Sequence, residues 1–200
     1  MNKRTLAHLV LKSAVLFLSL LCFYPLSATN PQKKEMKELN VKKVSLANVA
    51  VENVPALLDK EKVDFQSINT VNWKAFPYQP EVQFRIAHTD GAILIHYKVK
   101  EASVRAVATG DNGAVWEDAC VEFFSIPAGD GIYYNVECNC VGTLLIGAGG
   151  GRSNREHAPQ EVMDKVQRWS SLGRESFEER VGACNWELSL IHISEPTRRV

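Results

Sequence analysis

The stretch that most constrains the fold is residues 82–99. Val82, Phe84 and Ile86 alternate with Gln83, Arg85 and Ala87; Thr89-Asp90-Gly91 follows; then Ile93, Ile95, Tyr97 and Val99 alternate with Leu94, His96 and Lys98. A period of two interrupted by Asp-Gly predicts a β-hairpin of half-buried strands. A lone hairpin is marginal in water, so this one needs further strands to bury its apolar face. The chain supplies candidates. In residues 120–126, Val121 and Phe123 point one way, and Cys120, Glu122, Phe124 and Ile126 the other. A long strand is predicted over residues 132–146, with Ile132, Tyr134, Val136, Cys138 and Cys140 on one face. Another runs through residues 180–187, with Cys184, Trp186 and Leu188 sharing a side. Several short strands separated by turn residues predict an all-β class, an antiparallel β-sandwich or barrel.

Between the strands, residues 41–58 alternate weakly and predict a first strand and then a helical turn over 54–58, with Pro55 near its start, where a missing N–H costs nothing. Val162, Val166 and Trp169 recur at helical spacing and predict one amphipathic peripheral helix over residues 159–169, closed near Gly173, with Trp169 as a packing residue. Residues 68–80 carry Trp73, Phe76 and Tyr78 with Pro77 and Pro80, which reads as an ordered loop that buries Trp73 against the sheet, the alternative being a Trp73 that touches ligand. The glycine-rich run at 147–151 is not a phosphate loop: Ile146 stands where its first glycine is needed, and Arg152 where a dinucleotide fingerprint needs its third. It is a flexible loop leaving a strand.

The ends read differently. Asn2-Lys3-Arg4, an apolar run over 9–22 broken at Lys12-Ser13, and Leu26-Ser27-Ala28 together predict a cleaved signal peptide over residues 1–28. The unbroken apolar part falls short of the ~20 residues a span requires. The expectation is an exported protein, in the periplasm or at the cell surface, with no stable membrane span after cleavage. Leu20-Leu21 before Cys22 lacks the small residue of a lipoprotein site. Residues 29–43 are polar and charged and read as a linker. The run from Leu188 to Arg198 resembles the in-frame translation of a transposase adapter used in sequencing libraries. Residues 188–200 are therefore read as a scar, and the folded domain as residues 44–187, incomplete at its C-terminal side. The apolar pattern of 188–193 can still extend the last strand.

A chain of 200 residues fits one domain, and 23 basic against 23 acidic residues leave no basic footprint for nucleic acid. Export permits disulfides among Cys120, Cys138, Cys140 and Cys184. Cys138 and Cys140 project from one face and do not suit each other; a bond from Cys120 to either, or buried free thiols, both stay open. No spacing resembles a zinc site.

The chemistry gathers before and on the strand at 120–126. The loop Thr109-Gly110-Asp111-Asn112-Gly113 offers residues that tolerate positive φ, and Trp116 precedes the strand that carries Glu122. An aromatic ring beside a carboxylate can hold a sugar: the ring covers the C–H face and the acid accepts hydroxyl hydrogens. The competing reading is a core tryptophan and an edge glutamate reaching water. Arg152, on the glycine-rich loop, can swing onto ligand hydroxyls or remain a solvated charge.

Trp116-Glu117-Asp118-Ala119-Cys120-Val121-Glu122-Phe123-Phe124 and Ile132-Tyr133-Tyr134-Asn135-Val136-Glu137-Cys138-Asn139-Cys140-Val141-Gly142-Thr143, with Pro80-Glu81-Val82, His96-Tyr97 and Gly173, resemble the family 9-like carbohydrate-binding modules, in the secreted single-module form common in gut Bacteroidetes. The likeness runs over residues 44–187. It implies a jelly-roll-like sandwich in which two tryptophans clamp a terminal sugar. Trp116 matches the first of these and Glu122 a polar binder; the second tryptophan would lie beyond Glu187. It further implies non-catalytic binding of a mono- or oligosaccharide, no cofactor, and work beside polysaccharide-degrading enzymes. The family also carries structural calcium, for which Asp111, Asn112 and Asp118 have suitable oxygens. Two other readings are carried forward: a glycoside hydrolase using Glu122 and Asp118 as its carboxylate pair, and a haem- or metal-binding sandwich of the DOMON type using His88, His96, His157 or Met163.

Overall fold

The computed structural model describes residues 38–45, 49–127 and 129–193. The expectations for the signal peptide, for most of the linker and for residues 194–200 lie outside the described residues.

The predicted hairpin is the centre of the first sheet. β3 (Glu81–His88) and β4 (Ala92–Ala106) pair antiparallel from Glu81↔Lys100 to His88↔Ile93. On β4's other side lies β10 (Phe177–Ile193), paired from Phe177↔Ala106 to Ile193↔Ala92, and β9 (Val166–Ser170) pairs with β10 in turn. At the outer edge of β3 sit β1 (Lys42–Lys43), which runs parallel to it, and β2 (Gln66–Ile68). The second sheet has the order β5 (Cys120–Ser125), β6 (Tyr133–Asn139), β7 (Leu144–Gly149) and β8 (Glu156–His157), all antiparallel. The architecture is the expected all-β sandwich. Ile95, Tyr97, Val99, Trp186, Leu188 and Leu190 of the first sheet meet Val121, Cys138, Leu144 and Ile146 of the second in one core.

Four features differ from the sequence reading, each for a physical reason. The long strand over 132–146 is two strands. Gly142, at φ +83°, turns the chain between β6 and β7, and a Cβ there would run into the Arg174 side chain. The helix over 159–169 shrinks to α2 (Gln160–Met163); the rest is β9, because the extended run pairs with β10 and buries Val166 in the core shared by the two sheets. Trp169 therefore stands on a strand, opposite Ser189. The hairpin is also not half-buried. α1 (Val54–Lys60), where the helical turn was expected, lays Val54 and Leu58 on Ala87, Leu94 and Ile191, so the hairpin is covered on both faces at its turn end, while the side chains of Glu81, Lys98 and Lys100 farther along stay exposed. Finally, Lys42 and Lys43, at the end of the stretch read as linker, form β1.

Leu188–Ile193 belongs to β10, and Leu188, Leu190 and Ile191 are buried. The strand extension that the apolar pattern allows is what these residues do. All four described cysteines are free thiols; burial pushes those of Cys138 and Cys140 up to about 12.

Under α1 a polar network replaces apolar packing. Arg85, 2% exposed, donates from Nε to His96 Nδ1 (3.1 Å), from Nη1 to Asp59 (2.5 Å) and from Nη2 to the Pro55 carbonyl (2.9 Å). Its guanidinium lies 4.4 Å from the Phe65 ring centre, and His96 Nε2 meets Glu187 Oε2 at 2.8 Å. A buried guanidinium is tolerable because its donors are satisfied.

Candidate functional site

The segment between β4 and β5 is held by its own acids and amides. Asp111 accepts the Leu144 N–H (2.9 Å) and is gripped through both oxygens by Arg168, at 2.6 and 2.7 Å. Burial raises the Asp111 carboxyl, but the Arg168 fork and the Leu144 N–H outweigh it and hold its pKa below the ordinary aspartate value. Asn112 takes the positive φ (60°) and bonds Ile146 N–H with its oxygen and the Ala158 carbonyl with its nitrogen. At the far end, Asp118 accepts from Val107 N, Ala108 N and Asn139 Nδ2, each at 3.0 Å. A 3-10 turn at Val115–Glu117 lies between these anchors, with Val115 fully buried and Trp116 54% exposed. The core-tryptophan reading of Trp116 is thereby excluded. The indole stands out from a turn pinned at both ends.

β5 divides as its alternation requires: Val121 and Phe123 go to the core, while Glu122 and Phe124 face outward and are exposed. Register places Glu122 opposite Glu137, and Phe124 opposite Asn135. Glu137 is 5% exposed, takes a 2.6 Å bond from Asn135 Nδ2 and pairs with Arg155 at 3.5 Å. Arg155 also stands 5.8 Å from the Tyr133 ring centre. Burial and the nearby Glu137 push the Glu122 carboxyl above the ordinary range, against the opposing fields of Arg152 and Arg155. Arg152 is exposed, and its field reaches Glu122. Asn135 is fully buried, and its Oδ1 has no hydrogen-bond partner. Gly147 makes room for it: a Cβ there would lie 2.6 Å from Asn135 Oδ1 and 3.5 Å from Arg155 Cβ.

Sequence reading singled out Trp116, Glu122 and Arg152 and missed Asn135, Glu137 and Arg155. The first two were legible as the polar parity of β6, opposite Val136 and Cys138. Arg155 was not, because only the backward fold of the loop after β7 brings it to Glu137. Trp73 is corrected: it is 67% exposed, not buried by its loop, because the loop is tied to the sheet through Tyr78 Oη and the Ala102 N–H while the turn closed by Phe76 N–H and the Trp73 carbonyl leaves the indole in solvent.

The other chemistries find little support in the geometry. Asp118 has a fully buried side chain committed to backbone N–H groups, which removes it as a partner for Glu122. The oxygens of Asp111, Asn112 and Asp118 are each occupied by protein donors, with Arg168 already supplying the positive charge beside Asp111, and this donor set does not fit a calcium ion. Among the described residues no group of three or more His, Cys, Asp or Glu is placed to hold a metal. His96 uses both ring nitrogens, Met163 is buried in the core, and His88 and His157 belong to different sheets, so no axial haem pair forms. No helix among the described residues is long and apolar enough to cross a membrane.

Comparison with known proteins gives two findings. The model of the family described as carbohydrate-binding family 9 matches residues 52–195. A crystal structure of a candidate carbohydrate-binding protein from Bacteroides uniformis is similar at 60% identity and a TM-score of 0.75, over 78% of this chain and 72% of that one. No curated protein matches.

Proposed function

Since this chain belongs to carbohydrate-binding family 9, we propose that it binds a mono- or oligosaccharide by stacking Trp116 on a pyranose ring while Glu122 and Arg152 take the hydroxyls. The observation that carries this reading is the indole, 54% exposed on a turn anchored at both ends, at the head of the strand that presents Glu122. An exposed ring held without freedom loses little entropy on binding. Two arginines, Arg152 and Arg155, balance Glu122 and Glu137, which suits a neutral sugar.

Binding rather than hydrolysis is favoured because a glycosidase needs two carboxylates that reach the bond. The acid opposite Glu122 is Glu137, 5% exposed and engaged by Asn135 and Arg155. The basic, apolar and small-residue order of residues 1–28 supports export, and with it a role beside enzymes that degrade polysaccharides outside the cytoplasm.

Calorimetric titration of the full chain against a panel of neutral monosaccharides tests the reading. Trp116→Ala is expected to weaken binding about tenfold or more, the order of a ring stack plus the hydrogen bonds it orients. Glu122→Gln is expected to weaken it too, and to remove the loss of affinity toward acid that follows as the raised Glu122 carboxyl protonates. No heat with any sugar, or wild-type affinity in Trp116→Ala, would sink the assignment. Release of reducing sugar by the purified protein would replace it with the hydrolase.

A further inference from the structure

The loop between β2 and β3 carries three aromatic rings that the sugar site does not use. Trp73, Phe76 and Tyr78 are 67%, 74% and 59% exposed. They are not loose: Phe76 N–H donates to the Trp73 carbonyl at 3.0 Å, closing a turn, and Tyr78 Oη accepts the Ala102 N–H at 2.8 Å. Ala102 sits between Glu101 and Ser103. Those two residues, with Arg105, Glu117, Asp118, Ala119 and Glu179, line an open polar cleft of about 390 Å³. Glu117, which shares this lining, directly follows Trp116.

We propose that this loop is a second sugar-stacking platform, and that one saccharide chain runs from it along the cleft to Trp116. This deepens the function proposed above and rests on it: the ligand becomes a chain of several sugar units. The chemistry argues for a saccharide occupant. A glycan presents apolar C–H faces and hydroxyl-rich edges, and here the ring-bearing loop adjoins a cleft lined by the carboxylates of Glu101, Glu117 and Glu179; Glu101 already takes the Trp186 Nε1–H and Glu179 the Ser103 hydroxyl through one oxygen each, so sugar hydroxyls would be met by their second oxygens.

The test is titration of the full chain with a sugar from the monosaccharide panel and its oligomers from disaccharide to hexasaccharide, for wild type, Trp73→Ala, Phe76→Ala and Tyr78→Phe. Wild type is expected to bind the longer oligomers about fivefold or more tightly than the monomer. Trp73→Ala and Phe76→Ala are expected to erase that gain and leave monosaccharide affinity and Tm unchanged; Tyr78→Phe, which keeps its ring, is expected to retain most of it. If affinity does not grow with chain length, or grows equally in Trp73→Ala, the platform is refuted while the Trp116 site stands. If monosaccharide binding survives Trp116→Ala, the underlying reading fails instead. A wild-type dimer by light scattering that Trp73→Ala converts to monomer would assign the rings to self-association and overturn the proposal.

Discussion

The outward faces of the two sheets are built from the same two-residue alternation and end in opposite states. On β3 and β4 the outward residues, Arg85, Ala87, Leu94 and His96, are buried beneath α1 and Phe65, and Arg85 and His96 spend their polar atoms on Asp59, Glu187 and each other. On β5 and β6 no helix among the described residues covers the equivalent face: Glu122 and Phe124 are exposed, and Asn135 keeps an unpartnered oxygen. An arginine or histidine within a strand is therefore structural or available according to what lies over it, not according to its spacing. The Ser189 hydroxyl, at the position opposite Trp169, is likewise buried without a hydrogen-bond partner.

The sharpest way to break the contrast is the same kind of truncation on each outward face. Leu94 is fully buried and Phe124 is 51% exposed. Leu94→Ala is expected to cost about 2–5 kcal/mol through lost burial and the cavity left behind, and Phe124→Ala less than about 1 kcal/mol. Urea denaturation followed by tryptophan fluorescence measures both. Equal losses would mean that the second sheet's face is covered in solution.

The next effect lies where the two sheets are tied together. Asp111 on the Trp116 segment and Arg168 on β9 form a two-pronged pair with side chains 21% and 12% exposed. Removing one member of a largely buried pair leaves the other unpaired, at a cost of about 3 kcal/mol. Asp111→Ala is expected to lose that much and also to weaken sugar binding, because the Trp116 turn loses an anchor. Sugar affinity unchanged in Asp111→Ala, measured well below its melting temperature, would show that the turn is held from the Asp118 end alone.

How much of this was legible follows from which constraints are local. The β3–β4 hairpin was, because Asp90-Gly91 and two alternating runs fix turn, register and faces within twenty-odd residues. So was α1, marked by Pro55. Residues 159–169 were not: Val162, Val166 and Trp169 satisfy a helical period over a run too short to tell it from a strand, and the deciding partner, β10, arrives twenty residues later. Trp116 and Glu122 could be named from the chain as an aromatic and an acid near one strand. The floor beneath Glu122 could not, since Glu137, Arg155 and Gly147 meet only through the pairing of β5, β6 and β7. Trp73 was read as buried on its residue type, when the turn it closes with Phe76 presents it to solvent.

The smallest effect separates the faces by pH. His96 Nδ1 accepts the Arg85 Nε–H, so that nitrogen carries no proton, and Nε2–H donates to Glu187. Burial pushes the His96 pKa below its ordinary 6.5, more than Glu187 raises it, and Arg85 pushes it further down. Lys98 and Asp59, from β4 and α1, are the other charges facing it, and Asp59, lowered by its bond to Arg85, stays ionised across this window. Below about pH 6.5 the unfolded chain therefore binds a proton that the folded one refuses. Stability present above that pH is lost as pH falls toward the folded pKa, by at most about 1.4 kcal/mol per pH unit. Melting temperature followed between about pH 7.5 and 5.5 is expected to decline in wild type and less steeply in His96→Gln, the remainder coming from His192, whose pKa burial also lowers, while the acid loss of sugar affinity, expected from Glu122 on the other sheet, persists in that variant and vanishes in Glu122→Gln. If His96→Gln flattened both profiles, the two faces would be coupled through the core, and the division between a sealed sheet and an open one would fail.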